Sequence, residues 1–461
     1  MGTLKKALRP LMIKDVPSYA NKFFYSLGFL SMISFVMLLI TGILMSAFGP
    51  DWWLTNSVGK YVRGVHMWST QAFVVFIMLH LLIVFFTSGF KAPRRFTWVL
   101  GVFMFFLVMA ESEFGYVLRG DFSSQWRSLQ GADFYNGSGL GYLINALNYK
   151  QVYGIHIAVI PFLILGALFL HYLLVRVLGI AKPYRQDVVV KTVPADHTKL
   201  FVRGGVLVVL ILGLAVVFPS PFLKPTTLQE IAQKDPELMA KTLVAEFNQS
   251  SDTVGYHDSI SPYTYDVRAI YIQVPYTQLA TTNPNMEDRL QAFNNLPADQ
   301  QKAQLAALDE YYQAESKDSL TQPTGQAADV VASLTTMAAN GLYEPVIVSE
   351  NSSANGDQST YVLRFLADTG VLEEKAQGLT MTTEQYGMLH EETSKAPGAW
   401  WLAPIGLLNH TVLANDDNGD RDAAIIFGTL LLLMVAFPYI PYINQIPDKL
   451  KVYKLIWREK K

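Results

Sequence analysis

Apolar and polar residues in this chain are segregated rather than interleaved. Runs long enough to cross a bilayer, which takes roughly 20 apolar residues, occupy about 23–48, 61–90, 96–118, 150–178, 202–221 and 423–443. Between 223 and 395 the pattern changes to short amphipathic stretches. One of them, "PADQQKAQLAALDEYYQAESKDSL", combines a Pro-Ala-Asp start with helical periodicity. Two others, "RAIYIQVPY" and "YEPVIVSE…STYVLRFL", are rich in β-branched and aromatic residues and read as strands. The pattern predicts five membrane helices in 1–222, a soluble α+β domain over 223–395, and a return to the membrane in 396–461 through "APGAWWLAPIGLL" and one last span. Six spans put both termini on one side.

Composition and charge add an orientation. With 51% hydrophobic residues in 461, the chain is too apolar for an ordinary soluble enzyme and too polar to lie wholly in a membrane. Residues 225–420 hold 27 acidic and 9 basic residues, so a net charge of −2 leaves a surplus of 16 positive charges elsewhere. That surplus sits in "MGTLKKALRPLMIK", "KAPRR", "RVLGIAKPYRQ" with the basic residues after it, and "DKLKVYKLIWREKK". All four segments fall on one side of the six spans, and excess Lys and Arg marks the cytoplasmic face. Both termini are therefore expected inside and 223–395 outside. The acidic surface offers a docking face to a basic partner, or is simply solvated. The first 22 residues are basic and polar and the first apolar run is long, so a retained span is expected rather than a cleaved signal. The absence of cysteine excludes disulfides, Cys-ligated clusters and thioether-linked haem.

Four of the eight histidines lie in spans, as two pairs: His66 and His80, 14 residues apart, and His156 and His171, 15 apart. Fourteen helical residues advance about 21 Å and fall about 40° short of four turns; fifteen advance about 22 Å and overshoot by about 60°. Each pair thus projects from roughly one face at two depths. Two such helices facing each other bring two imidazoles together at each depth, as two stacked bis-histidine haem irons require. Ionisable groups inside a bilayer are costly and usually functional. The competing readings are histidines that pack helices and histidines that relay protons in a transporter; a visible spectrum separates these from haem.

Gly28 and Gly42 repeat the 14-residue interval in the first span, and Gly101 and Gly115 repeat it in the third. A porphyrin laid against a helix needs a missing side chain at its own depth, although glycines also serve close helix packing. Arg63, three residues before His66, suits an anionic propionate or an interfacial position. Glu111 and Glu113 in "MAESEFGY" are carboxylates near the outer end of the third span. "ANDDNGD" lacks the remaining ligands of a calcium loop and reads as a polar turn, and His257, His390 and His410 have no metal-ligand spacing.

Several stretches resemble cytochrome b of the Rieske/cytochrome b quinol oxidoreductases, most of all its split, chloroplast-type branch and bacterial relatives. They are "FFYSLGF", "YVRGVHMWST…LH", "SGFKAPRRFTWVLGV", "FGYVL…D" and "GIHIAVIPFLI…LHYLLVRVLGI", covering most of 20–182. Residues 194–222 ending "FPSPF", "GAWWLAPIGLL" and "LLMVAFPYIPYIN" resemble parts of the companion subunit IV. The resemblance implies an all-α membrane protein: a four-helix diheme cytochrome b bundle, two further transmembrane helices, and the inserted extracytoplasmic α+β domain. It implies that His66 and His156 ligate the outer of two non-covalent b haems, and His80 and His171 the inner. Gly28, Gly42, Gly101 and Gly115 would make room for them, Arg63 would pair with an outer propionate, and Arg176 would lie near the inner haem and quinone pocket. Implied too are menaquinone or ubiquinone as substrate, Rieske iron–sulfur or cytochrome c subunits as partners, a homodimeric complex in a prokaryotic cytoplasmic membrane, and no nucleic acid. The activity would be that of a quinol:cytochrome c-type oxidoreductase subunit.

Departures from the family pattern concentrate at the outer quinol site. Ser26 stands where the chloroplast-type proteins attach an extra haem through cysteine. Gly398-Ala399-Trp400-Trp401 replaces a Pro-Glu-Trp-Tyr motif whose Glu moves protons, and Leu118-Arg119-Gly120 replaces Leu-Pro-Trp. The stretch from Trp126 to His156 is short, and one span fewer than the family's is expected. Trp400 and Trp401 with Glu111 or Glu113 are the candidate outer quinol residues. A degenerate outer site that exchanges electrons with a non-Rieske partner is the alternative.

Overall fold

The structure is a computed structural model and describes residues 15–181, 191–252, 254, 266–283, 287–349, 359–382, 398–416 and 419–457. The apolar runs become helices α1 (Leu27–Thr55), α2 (Ser57–Phe86), α3 (Arg95–Val117), α5 (Tyr149–Leu178) and α6 (His197–Val217), with a shorter α4 (Phe122–Gly137) between α3 and α5. The insert contributes α7 (Leu228–Lys234), α8 (Pro236–Asn248), α9 (Val274–Thr282), α10 (Arg289–Asn294), α11 (Ala298–Gln313), α12 (Gln326–Ala339), α13 (Tyr343–Ser349), α14 (Ser359–Asp368) and α15 (Val371–Gly378). The chain ends in α16 (Ala403–His410), α17 (Gly419–Ala436) and short turns.

Among the described residues six helices are long and apolar enough to cross a membrane, and they coincide with the six apolar runs. Phe162, Phe169, Val209 and Leu432 are each more than 60% exposed, an inversion that suits side chains meeting hydrocarbon rather than water. Local signals set the helix ends. The Asn56 side chain accepts from the backbone N–H groups of Val58 and Gly59 to start α2, and Asp121 with Ser124 forms a capping box for α4. α1 bends where Gly49 takes a φ of 78° before Pro50, a conformation that favours glycine.

α1 packs against α2, α3 against α5, α6 against α2 and α17 against α3. At the end away from the insert, β1 (Asp15–Pro17) pairs antiparallel with β2 (Thr192–Pro194), Val16 opposite Val193. The described ends of the chain meet there. Asp448 accepts from Ser88 and Lys91, and the Trp457 indole donates to the Tyr25 hydroxyl at 2.7 Å. The basic "KAPRR" stretch lies at this same end.

The insert departs from expectation: the two runs read as strands are helical, and its described residues contain no strand. Val267, Tyr271, Ile272 and Tyr276 are all buried, and so are Tyr361, Val362, Phe365 and Leu366. Both sets have the spacing of one helical face. β-Branched and aromatic residues fit any half-buried surface, and packing against α8 and α12 decides for helix. The strand pairing that does occur lies at the opposite end of the molecule.

The insert's core also reaches beyond residue 223. Phe122 on α4 is fully buried within it, the Lys375 ammonium lies 4.2 Å from the Phe122 ring centroid, and the Trp126 indole donates to the Met381 carbonyl at 2.8 Å. Gln125 and Thr226 exchange two hydrogen bonds at 2.8 and 2.9 Å.

Within that core, burial and then the neighbouring Asp368 push the Glu246 carboxyl well above the usual carboxylate range. The folded insert therefore keeps a proton that the unfolded chain releases above about 4.5. The Glu246 contribution to stability is fully present below that value and is lost as pH rises toward the folded ionisation. Pulse proteolysis of the insert in urea should give a lower midpoint at pH 8 than at pH 5. Glu246→Gln should flatten this dependence; an unchanged slope in the variant would reject the assignment.

Candidate functional site

The four membrane histidines come together as two pairs. The His66 and His156 ring centroids, on the insert side, are 6.4 Å apart with planes at 67°; those of His80 and His171, on the far side, are 6.5 Å apart at 78°. Two metal–imidazole bonds of about 2 Å each, plus the distance from ring nitrogen to ring centre on both sides, sum to about 6.4 Å. Both pairs therefore have the separation of two imidazoles on one metal ion.

The unequal intervals are reconciled by a local change of helix type. Ile155–Val159, which contains His156, forms a π-helical turn inside α5. A π turn takes up an extra residue, so the 15-residue interval on α5 subtends nearly the rotation of the 14-residue interval on α2. The overshoot calculated for a regular helix does not arise.

Each histidine faces one glycine of the repeated interval. A methyl group built on Gly42 would lie 3.5 Å from His66, on Gly115 3.0 Å from His156, on Gly28 3.3 Å from His80, and on Gly101 3.6 Å from His171. α1 and α3 thus leave their backbones bare beside the imidazoles, which is the cradle a flat macrocycle needs. On the insert side this space is a cavity of about 730 Å³, lined by Gly42, His66, Gly115 and His156 together with Arg63, Gln71, Glu111, Tyr116 and Arg119.

The proton on each insert-side ring follows from its neighbours. The Thr41 hydroxyl donates to the Met37 carbonyl at 2.7 Å, so it accepts from His66 Nδ1, 2.8 Å away. His156 Nδ1 lies 3.2 Å from the Glu111 carbonyl and 3.1 Å from Glu111 Oε1, both acceptors. We assign the Nδ1–H tautomer to both rings, which leaves Nε2 free to ligate a metal. On the far side, the buried His171 ring has the Thr97 backbone beside it.

Positive charge gathers at the cavity wall. Arg63 and Arg119 lie 3.5 and 3.0 Å from the same oxygen of fully buried Asp121, and both donate to the Pro221 carbonyl, at 3.3 and 2.9 Å. Both guanidinium groups line the cavity, where they can make charge-assisted hydrogen bonds to an anionic group. Glu113 is not in the cavity: it pairs with Arg127 at 3.2 Å, and only Glu111 of the two reaches the lining. The Trp400 indole donates to Gln71 at 2.8 Å, and Trp401 packs against Tyr116, with ring centroids 6.2 Å apart. Both partners line the cavity, so "GAWW" braces its wall. Arg176 sits apart on the far side, 5.7 Å from the Tyr172 ring. Ser26 is buried, and its hydroxyl accepts from Arg203.

Thr41, Gln71 and Asp121 were not singled out by the sequence as parts of this site, and Arg119 entered only as a departure from the family pattern. The Asp121–Ser124 capping box was the readable signal for one of them. His390, His257 and the middle of "ANDDNGD" lie outside the described residues.

A family model described as "Cytochrome b(N-terminal)/b6/petB" matches residues 71–225. The chain is 32% identical over 190 residues to a cytochrome b6 of Heliobacterium modesticaldum, covering 36% of this chain and 89% of that one. It is 26% identical over 204 residues to the menaquinol:cytochrome c reductase cytochrome b subunit of Geobacillus thermodenitrificans, covering 38% and 91%. A solved structure described as a hyperthermophilic respiratory complex III aligns with 97% of this chain and 98% of its own at 13% identity, with a TM-score of 0.42.

Proposed function

The chain belongs to the cytochrome b/b6 family, and on that premise we propose that it carries electrons across a membrane as a subunit of a bc-type quinol oxidoreductase. It is an integral membrane protein. Two non-covalent b haems are held by His66 with His156 and by His80 with His171. The observation that carries this reading is the one-to-one facing of four glycines and four histidines at matched separation.

Bound at these positions, haem iron supplies one-electron transfer between two depths of the membrane. The protein supplies the rest. The histidines ligate through Nε2, with Thr41 and Glu111 holding the insert-side rings. The glycines admit the macrocycles. Arg63 and Arg119 neutralise propionates near the insert, and Arg176 serves the far side. Glu111 takes the proton from quinol that the family's missing glutamate would take; its lining position and its buried, unbonded Oε2 support this. Trp400 and Trp401 shape that site. The charge distribution supports both termini in the cytoplasm and the insert outside; family membership is the ground for a prokaryotic membrane, Rieske iron–sulfur or cytochrome c subunits as partners, and a dimeric complex. Menaquinone or ubiquinone is the substrate.

A second reading is favoured by Ala399. It is fully buried where the family motif carries glutamate, which suits a degenerate outer quinol site and direct exchange with a non-Rieske partner.

Haem analysis tests the assignment. Purified protein should yield two b haems per chain, and acidified solvent should extract all of it, because Ser26 cannot form a thioether. A preparation without haem would leave proton relay as the better account of the histidines.

A further inference from the structure

We propose that Glu111 is a positioning residue that lowers the reduction potential of the insert-side haem by holding the Nδ1–H of His156 with its carboxylate. The inference rests on the haem assignment above. A carboxylate on Nδ1 draws the ring proton toward itself and makes Nε2 a stronger donor, which favours ferric over ferrous iron.

Two features make the contact effective. Glu111 Oε1 is 3.1 Å from His156 Nδ1, and its other oxygen is buried without a hydrogen bond among the described residues. Among the described residues its charge is not shared with an Arg or Lys, unlike that of Glu113, which pairs with Arg127, or Asp121, which bridges Arg63 and Arg119. The contact is also confined to one site. His66 meets the Thr41 hydroxyl, and no carboxylate contact to His80 or His171 occurs among the described residues. The effect therefore belongs to one haem of the two, which provides an internal control.

Glu111→Gln isolates the charge, because the backbone carbonyl of residue 111, 3.2 Å from Nδ1, remains an acceptor. Equilibrium redox titration of the purified full chain at fixed pH should show one haem wave moving upward. The ferrous-to-ferric ratio at a given potential should rise at least tenfold, about 59 mV for one electron. The other wave should stay in place, and Glu113→Gln should move neither. Two unmoved waves, or an equal shift of both, overturn the proposal. If Glu111→Gln fails to retain the haem, the wild-type protein still decides. Near-infrared magnetic circular dichroism of the ferric form should resolve two charge-transfer bands, one displaced to higher energy by partial imidazolate character. A single shared band overturns the proposal, whereas wild-type protein with no haem sinks the underlying reading instead.

Discussion

Purified His156→Ala protein is expected to carry one haem per chain rather than two, and His66→Ala the same one. His80→Ala and His171→Ala should each lose the other haem and keep the first. The expectation follows from pairing: an iron held at either depth would need both imidazoles there, whose ring centroids stand 6.4 or 6.5 Å apart. Truncating one ring would remove a group that holds the iron and open a void beside a glycine that provides no side chain to fill it. The two depths share no ligand, so one loss does not entail the other. Either loss breaks the electron path, and transmembrane electron transfer should fall to background in all four variants. Pyridine haemochrome content and quinol-driven reduction read the two effects separately. Two haems retained in every variant would dismiss the assignment.

Quinol oxidation in Glu111→Gln is expected to slow by at least about tenfold, within the 10²–10⁴ range of general-base catalysis, with an altered pH dependence and both haems in place. Glu113→Gln should be close to wild type, because that carboxylate is bound to Arg127 outside the cavity. The direction of the rate change is informative. Removing the Glu111 charge should raise the potential of the electron acceptor, which by itself would speed oxidation. A slower reaction at an acceptor of higher potential therefore reports the missing proton acceptor. Stopped-flow reduction with a short-chain quinol provides the measurement. Equal, wild-type rates in both variants would shift the weight to the degenerate-site reading and an electron partner other than quinol.

Much of the architecture was legible because membrane burial writes long unbroken signals. The six apolar runs fall on the six long helices, and the 14-residue spacings of Gly28 with Gly42 and Gly101 with Gly115 match the facing histidines in space. Short-range physics was less readable. The extra residue between His156 and His171 could not announce the π turn that absorbs it. Glu111 and Glu113 are two positions apart, which turns them about 200° on the helix; only packing shows which one faces the cavity. In the insert, "RAIYIQVPY" carries strand-like residue types in a helical spacing, and contacts with α8 and α12 decide between them. Phe122 belongs to the insert's core although 101 residues separate its neighbour Gln125 from Thr226, a closure no local pattern encodes.

That last contact orders the assembly of the molecule in time. α4 is synthesised well before any part of the insert exists. Until residues 223–382 are made and delivered to the same side, Phe122 and Trp126 have no cover. The nascent chain thus carries an open aromatic face through the insertion of α5 and α6, and the insert closes over it as a late-arriving cap. A block in delivery of the insert would strand a membrane bundle, complete in its helices, with a sticky surface suited to capture by chaperones and proteases.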